Sequence, residues 1–302
     1  MSVQSFRFVV APADAGRRLD QVLAAGVPGL SRRKARVVLD LGGVFVDGAR
    51  TKVAGRAVRA GQVVVCNLGG ALERATKAPG QEARARDEAR LPPFRVVHQD
   101  ADVVVVDKPA GLLTAPTPES DRNNLARALS DRLGTPARVV HRLDLETSGL
   151  LVFALTDEAN RALAERFRVH DVERVYLAAL RGVLAGDEHT VSEPVAGRRA
   201  LTHVSVVTRF AAATLVRCRL ETGRTHQIRL HARHLGHPVL GDRRYGEVGP
   251  AAGDPPRMAL HAAVLGFQHP VTGEALRFES PWPEDLAPWL AGLAPADAPL
   301  DR

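Results

Sequence analysis

Cysteine is scarce in this 302-residue chain: only Cys66 and Cys218 occur, far apart and in no CxxC pair. That excludes a disulfide framework and a cysteine-based structural zinc site, and it fits a reducing, cytoplasmic setting. Long apolar runs are also missing. Nothing approaches the roughly 18 residues of a membrane span, and the opening MSVQSFRFVVAPADAGRR has no apolar core of signal-peptide length. A soluble intracellular protein with no membrane partner is expected. No internal repeat is visible, and no cluster of His, Cys, Asp and Glu has metal-ligand spacing. With 45% hydrophobic residues the chain can bury at least one full core, as one large domain or two unequal ones.

Positive charge is present but confined. Residues 1–68 carry eleven lysines and arginines against Asp14, Asp20, Asp40 and Asp47, which is the whole formal excess of +7. The rest of the chain balances 30 basic against 30 acidic side chains. A small basic module joined to a neutral body points to a polyanionic partner for that module. The stretch GGALERATKAPGQEARARDEAR after it, mixed in charge with Gly and Pro and no sustained apolar face, reads as a linker. The expected division is a module over 1–68, a linker over 69–92, a larger domain over 93–292 and a tail over 293–302.

Within the module, RRLDQVLAAG and SRRKARVVLDLGG predict two short helices, the second capped by Ser31 and stopped by Gly42 and Gly43. Two strands follow, one turning at Asp47-Gly48 and one at GQVVVC. Arg32, Arg33 and Lys34 put three cations in a helix's first turn, against the macrodipole, at a few tenths of a kcal/mol each. A lone lysine there would be an ordinary solvated helix end. Three together, in the module that holds all the excess charge, point to phosphates of RNA or DNA.

Beyond the linker, strand-like runs dominate: FRVVH, DVVVVD, ARVVH, LLVFAL, VYLAAL, THVSVVTRF, ATLVRCRLE, ALHAAVLGF and EALRFES. Helical patterns are few, namely NLARALSDRL, DEANRALAERFRVH, the segment after Gly223 and EDLAPWLAG. Many strands without regular strand-helix alternation predict an α+β fold built on a mainly antiparallel mixed sheet, beside a small α+β N-terminal domain.

Two polar clusters stand out. HRLDLETSG places His141, Arg142, Asp144 and Glu146 between apolar runs, and TGRTHQIRLH packs Arg224, Thr225, His226, Gln227, Arg229 and His231 into ten positions. A single Asp in a turn is usually structural. If the second cluster is helical from Thr225, Thr225 and Arg229 share a face, and an arginine leaving a buried helix needs a carboxylate. Asp144 is the available acid, and such a pair keeps a carboxylate ionised in a dehydrated cleft. Tyr176, one of only two tyrosines, is a third candidate, although packing in the core is the commoner fate of a strand tyrosine.

Taken in order, VVVVDKPAGLLTAP, HRLDLETSG, ERVYLAAL, GRTHQIRLHARHLGHPVLGDRRYG and MALHAAVLGFQHP resemble the RluA-type family of pseudouridine synthases, from about Pro93 to about Pro283. Residues 17–68 are similar to the small alpha-L RNA-binding domain first seen in a small-subunit ribosomal protein. The resemblance implies that Asp144 is the essential aspartate, Tyr176 packs against the target base and Arg229 pairs with the aspartate. Arg142 matches an arginine that occupies the space left by the extruded base. His141, Arg224 and His226 belong to the motifs and, with Arg32, Arg33 and Lys34, complete the expected RNA-binding set.

The implied reaction breaks the bond from N1 of uracil to ribose, turns the base and joins C5 to the same carbon. Nothing is oxidised and no group is imported, so neither a metal nor an organic cofactor is expected. The carboxylate can attack the sugar or deprotonate it, and both routes stay open. The expected substrate is large-subunit ribosomal RNA or its precursor, bound by a monomer. Alternatives are transfer RNA as substrate, a non-catalytic RNA-binding assembly factor, and glycosidic hydrolysis by Asp144 with Glu146. The last would need carboxyl groups roughly 5 to 9.5 Å apart across the bond.

Overall fold

A computed structural model describes residues 3–77, 91–118, 123–246 and 253–295. The chain divides into two compact units, one of residues 1–91 with 115–132 and one of residues 92–114 with 133–302.

In the first unit, strand β1 (Gln4–Val9) is followed by helices α1 (Leu19–Gly26) and α2 (Arg32–Leu41). Strands β2 (Val44–Val46), β3 (Ala49–Arg50) and β4 (Val63–Leu68) complete an antiparallel sheet in the order β1-β4-β2-β3. Leu19, Val22 and Leu23 on α1 and Ala35, Val38 and Leu39 on α2 recur at helical spacing and are buried with Val44, Val46, Val64 and Cys66. Each fully buried Leu stabilises by roughly 1.5–3 kcal/mol. The Ser31 hydroxyl accepts from the Lys34 backbone N–H, and Gly42 ends α2 in the left-handed conformation, both as expected from the sequence. Strand β1 was not expected. Neither was helix α3 (Gly70–Lys77), which lies inside the stretch read as a linker; residues 78–90 of that stretch are outside the described residues. Helix α4 (Leu125–Leu133) lies, but for its last residue, among the residues that cluster with this unit.

One feature of this unit was invisible in the composition. Asp20 is fully buried and accepts from Arg18 (3.1 Å), Arg32 (3.3 Å) and Arg36 (2.8 Å). Burial pushes its carboxyl up, but the bonds from Arg18 and Arg36 and the charge of Arg32 bring it down to about 2. One acid therefore gathers three half-exposed arginines across α1 and α2.

The second unit is a ten-stranded sheet in the order β10-β11-β12-β9-β13-β8-β6-β5. These strands are β5 (Arg95–Gln99), β6 (Val103–Lys108), β8 (Ser148–Ala154), β9 (Glu173–Arg181), β10 (Glu188–Val191), β11 (Thr202–Arg209), β12 (Ala213–Leu220) and β13 (Leu260–Gln268). The short β7 (Arg138–Val139) pairs with β8, and β14 (Ala275–Glu279) pairs with β13. Every pairing is antiparallel except β8 with β13. The α+β class and the mainly antiparallel sheet match the sequence expectation; β10 does not appear in it.

The middle of the sheet is buried on both faces, as its composition requires. All seven residues of β8 and Val103–Val106 of β6 are shielded from water. Helix α5 (Asp157–Val169) covers part of it, opened by the Thr156 hydroxyl and closed by His170 in the left-handed region. Helix α6 (Gln227–His234) and the short α7 (Ala287–Ala291) complete the unit. The expected tail begins within paired structure, since the Ala211 N–H donates to Ala294 O and Phe210 bridges to Pro295; residues 296–302 are outside the described residues. No helix among the described residues is long and apolar enough to cross a membrane.

Candidate active site

Asp144 sits in the connection from β7 to β8, and that connection is clamped from the loop after β6. The Thr114 hydroxyl donates to Leu143 O (3.0 Å) and accepts from the Leu143 N–H (3.2 Å). The Gly111 N–H donates to Leu145 O. Lys108, wholly buried at the end of four valines, donates its ammonium to Pro109 O (2.9 Å), Leu112 O (2.8 Å) and Leu145 O (3.4 Å). Burial and the charge of Arg257 lower its pKa to about 7, against the opposing pull of Asp144. Loop carbonyls that the strands leave without partners are thus satisfied by one cation. The turn is rigid, with Leu143 buried and Asp144 only partly covered.

The arginine comes from α6. This helix begins at Gln227, with His226 before it in the left-handed region, so Thr225 lies outside the helix and shares no helical face with Arg229, contrary to the expectation from spacing. The helix is lashed down by buried polar groups. Gln227 donates to Leu201 O and to the Thr202 hydroxyl, and His231 contacts Thr202 and Glu193 O. Arg229 is thereby held with its Nη1 donating to Asp144 Oδ2 at 3.0 Å.

The same guanidinium has a second acid. Its Nε and Nη2 donate to the two oxygens of Asp242 at 2.6 and 2.8 Å, and that buried carboxylate also accepts from the Arg244 and Tyr245 N–H groups. Burial opposes the Arg229 charge, but its bonds to Asp242 and then to Asp144 outweigh it and raise its pKa. Burial likewise pushes the Asp242 carboxyl up, and Arg229 with the two backbone donors brings it below its ordinary value. Asp242 fills two fork positions of the guanidinium and leaves the third for Asp144. The Tyr245 ring lies 4.9 Å from the Arg229 carbon, and its hydroxyl is 2.9 Å from His226 Nδ1. His226 Nε2 in turn stands 3.7 Å from Asp144 Oδ1. Burial lowers the His226 pKa despite the opposing charge of Asp144.

Tyr176 leaves β9 half-buried against the core that holds Ile228 and Ala232 of α6. Burial raises its hydroxyl pKa to about 12, with Arg174 opposing and Asp144 adding to the rise, so it is close enough to the aspartate to feel its charge. His141 stacks on Phe167 (4.3 Å) and accepts from the Val152 N–H through Nε2 (3.1 Å). Burial and Arg174 lower its pKa to about 3, so the ring is neutral and braces the turn. Arg142 is exposed, and Arg224 donates to Arg199 O. Arg32, Arg33 and Lys34 lie in the other unit, where Arg32 meets Asp20 and Arg33 and Lys34 are exposed.

Sequence reasoning missed Lys108, Asp242, Tyr245 and Arg174. Lys108 had a signal, a cation closing a run of four valines. Asp242 had none, because its partner is chosen by a loop returning after α6. Among the described residues, one group could hold a metal ion, Asp100 with Asp102 and His269. Its oxygens already close the β5–β6 turn, accepting from the Asp102 and Val103 N–H groups and from Thr156, and contacting His98.

A family model described as RNA pseudouridylate synthase matches residues 102–234, and an S4 domain model matches residues 17–64. A protein of Xanthomonas campestris pv. campestris named ribosomal large subunit pseudouridine synthase D is 38% identical, covering 94% of this chain and 91% of that one. Its namesake in Pseudomonas aeruginosa is 36% identical over 93% of each. The solved structure of human RNA pseudouridylate synthase domain containing 1 has a TM-score of 0.54 at 29% identity, covering 64% of this chain and 84% of that one.

Proposed function

The chain belongs to the RNA pseudouridine synthases, which are isomerases, and from that premise we propose that it converts uridines of large-subunit ribosomal RNA to pseudouridine through Asp144. The observation that carries the reading is the Asp144–Arg229 pair at 3.0 Å, in a turn where the carboxylate is still reachable. Substrate choice rests on the names of the relatives and on the basic S4 domain. The setting proposed is the cytoplasm, where ribosomal RNA is available, and the protein acts as a monomer.

In this mechanism the target uridine leaves the RNA stack and packs against Tyr176, at an unstacking cost of a few kcal/mol that basic contacts offset. Arg142, exposed beside the site, takes the vacated space. Asp144 attacks the ribose carbon, or removes a proton from its neighbour, as the bond to uracil N1 breaks. The turned base then bonds that carbon through C5, which frees the carboxylate or returns its proton, and C5 gives up its own proton while N1 takes one up. Arg229 holds the carboxylate in place as charge moves. Asp242 fixes Arg229 in turn. His226 and Arg224 border the aspartate and the strand.

The test incubates large-subunit ribosomal RNA and transfer RNA with the wild type and with Asp144→Asn, then maps pseudouridine. The expected result is product on ribosomal RNA with the wild type, and RNA binding without product for the variant. Isomerisation by Asp144→Asn at a substantial rate removes Asp144 from the mechanism. Product confined to transfer RNA overturns the substrate, and release of free uracil overturns isomerisation in favour of hydrolysis.

A further inference from the structure

Arg174 and Tyr176 leave β9 on the same face, two residues apart. Arg174 is 7% exposed, and its Nε and Nη2 are buried with no acceptor among the described residues. It rests near the Phe167 ring at 5.9 Å, and Phe167 stacks on His141 beside the Asp144 turn. On its other side it reaches under Gly223, where a Cβ would stand 2.6 Å from Nη1.

This arginine lines a cavity of about 540 Å³ with His170, Arg199, Arg219 and Thr222. A second buried polar atom there has no partner among the described residues, Nδ1 of His170, which donates in the tautomer that carries the proton on that nitrogen. Burial lowers the His170 pKa, and the charges of Arg174, Arg224 and Arg199 lower it further, so these cations crowd one place. The acids of the wall are spent elsewhere. Asp171 accepts from Arg166, Glu173 from Arg277, and Glu221 pairs with His203. A buried guanidinium without a counter-charge is strongly unfavourable, and among the described residues no carboxylate accepts from it.

We propose that Arg174, with His170 and the flanking Arg199, forms a binding subsite for a backbone phosphate of the RNA strand, adjoining the nucleotide that Tyr176 meets. The guanidinium fork matches two phosphate oxygens, and its burial strengthens both bonds. The cavity has the size of a small-molecule site, enough for a nucleotide around that phosphate. This inference rests on the proposed function and adds how the strand is gripped.

The experiment compares full-length wild type with Arg174→Met, which keeps an unbranched apolar stem and removes the charged guanidinium. RNA affinity is measured across a salt series, KM and kcat are measured on the same RNA, and melting is followed with and without inorganic phosphate. The expected loss is about tenfold to a hundredfold in RNA affinity, falling on KM rather than kcat. The slope of log affinity against log salt should shrink by about 0.7, while the melting temperature holds or rises because an uncompensated charge is gone. Arg174→Lys should recover part of the affinity and the full slope. Arg174→Gln carries the same test if the methionine variant fails to fold. Wild-type affinity and slope in the variant overturn the proposal, as does a lower melting temperature with unchanged RNA binding. Phosphate that stabilises the wild type while RNA binding ignores Arg174 also overturns it. If the wild type makes no pseudouridine yet the slope falls with Arg174→Met, the subsite stands and the proposed reaction falls.

Discussion

Replacing Asp242 by asparagine changes one atom type in a buried carboxylate and isolates what holds Arg229. In the wild type the Asp242 oxygens accept four N–H groups, two from Arg229 at 2.6 and 2.8 Å and two from the backbone at 2.9 and 3.1 Å. An asparagine amide turns one acceptor into a donor that faces other donors, and it removes the charge opposite a buried guanidinium. Breaking such a pair costs about 3–5 kcal/mol. At roughly 2–4 °C per kcal/mol for a unit of this size, the melting temperature should fall by about 10 °C. Arg229 would then depend on Asp144 alone, whose carboxylate is partly open to water, and would shift toward it. A displacement near 1 Å at a reacting group costs about a hundredfold in rate. Thermal unfolding and single-turnover isomerisation at saturating RNA read the two effects separately. A variant with wild-type melting and wild-type turnover would refute the claim that Asp242 positions Arg229.

Two further substitutions test the fold beneath the sites. Asp20 titrates at about 2 in the folded chain against an ordinary 3.8, so its contribution to stability is present above pH 4 and is lost as pH falls from about 4 to 2. Asp20→Asn should flatten that acid limb, by about 1–2 kcal/mol once solvent screening around the half-exposed arginines is allowed for; an unchanged limb in urea unfolding against pH would contradict it. Gly149, at φ +113°, places its hydrogen where a Cβ would stand 2.3 Å from Ala262 O at the parallel junction of β8 and β13. Gly149→Ala should destabilise by about 3 kcal/mol or more, and a denaturant midpoint equal to that of the wild type would disprove the close approach.

Much of the architecture could be anticipated because its causes are local. Ser31 and Gly42 delimit α2 through bonds within a few residues, and Asp47-Gly48 turns the strand it follows. The runs VVVV and LLVFA have no polar face to offer water, so they had to be central strands. β1 was harder to foresee, since QSFRFV is exposed along most of its length and owes its pairing to β4, some 60 residues away. Helix α3 has mixed charges and Gly at its start, and its sequence resembles a linker for that reason.

The site divides along the same line. That Asp144 and Arg229 belong together was legible, because a buried arginine demands a carboxylate and the chain offered one in a comparable turn. The start of α6 was misjudged by two residues, since His226 adopts a left-handed backbone imposed by the loop around it. Lys108 closing loop carbonyls, Asp242 taking two thirds of a guanidinium, and Arg174 left without an acceptor among the described residues are arrangements of groups far apart in the chain. Periodicity and capping act over a few residues, so order along the chain fixes the helices, the strands and the residue types that chemistry needs. Which charge meets which, and which is left unmet, depends on distances that exist only once the sheet has closed and water has been expelled.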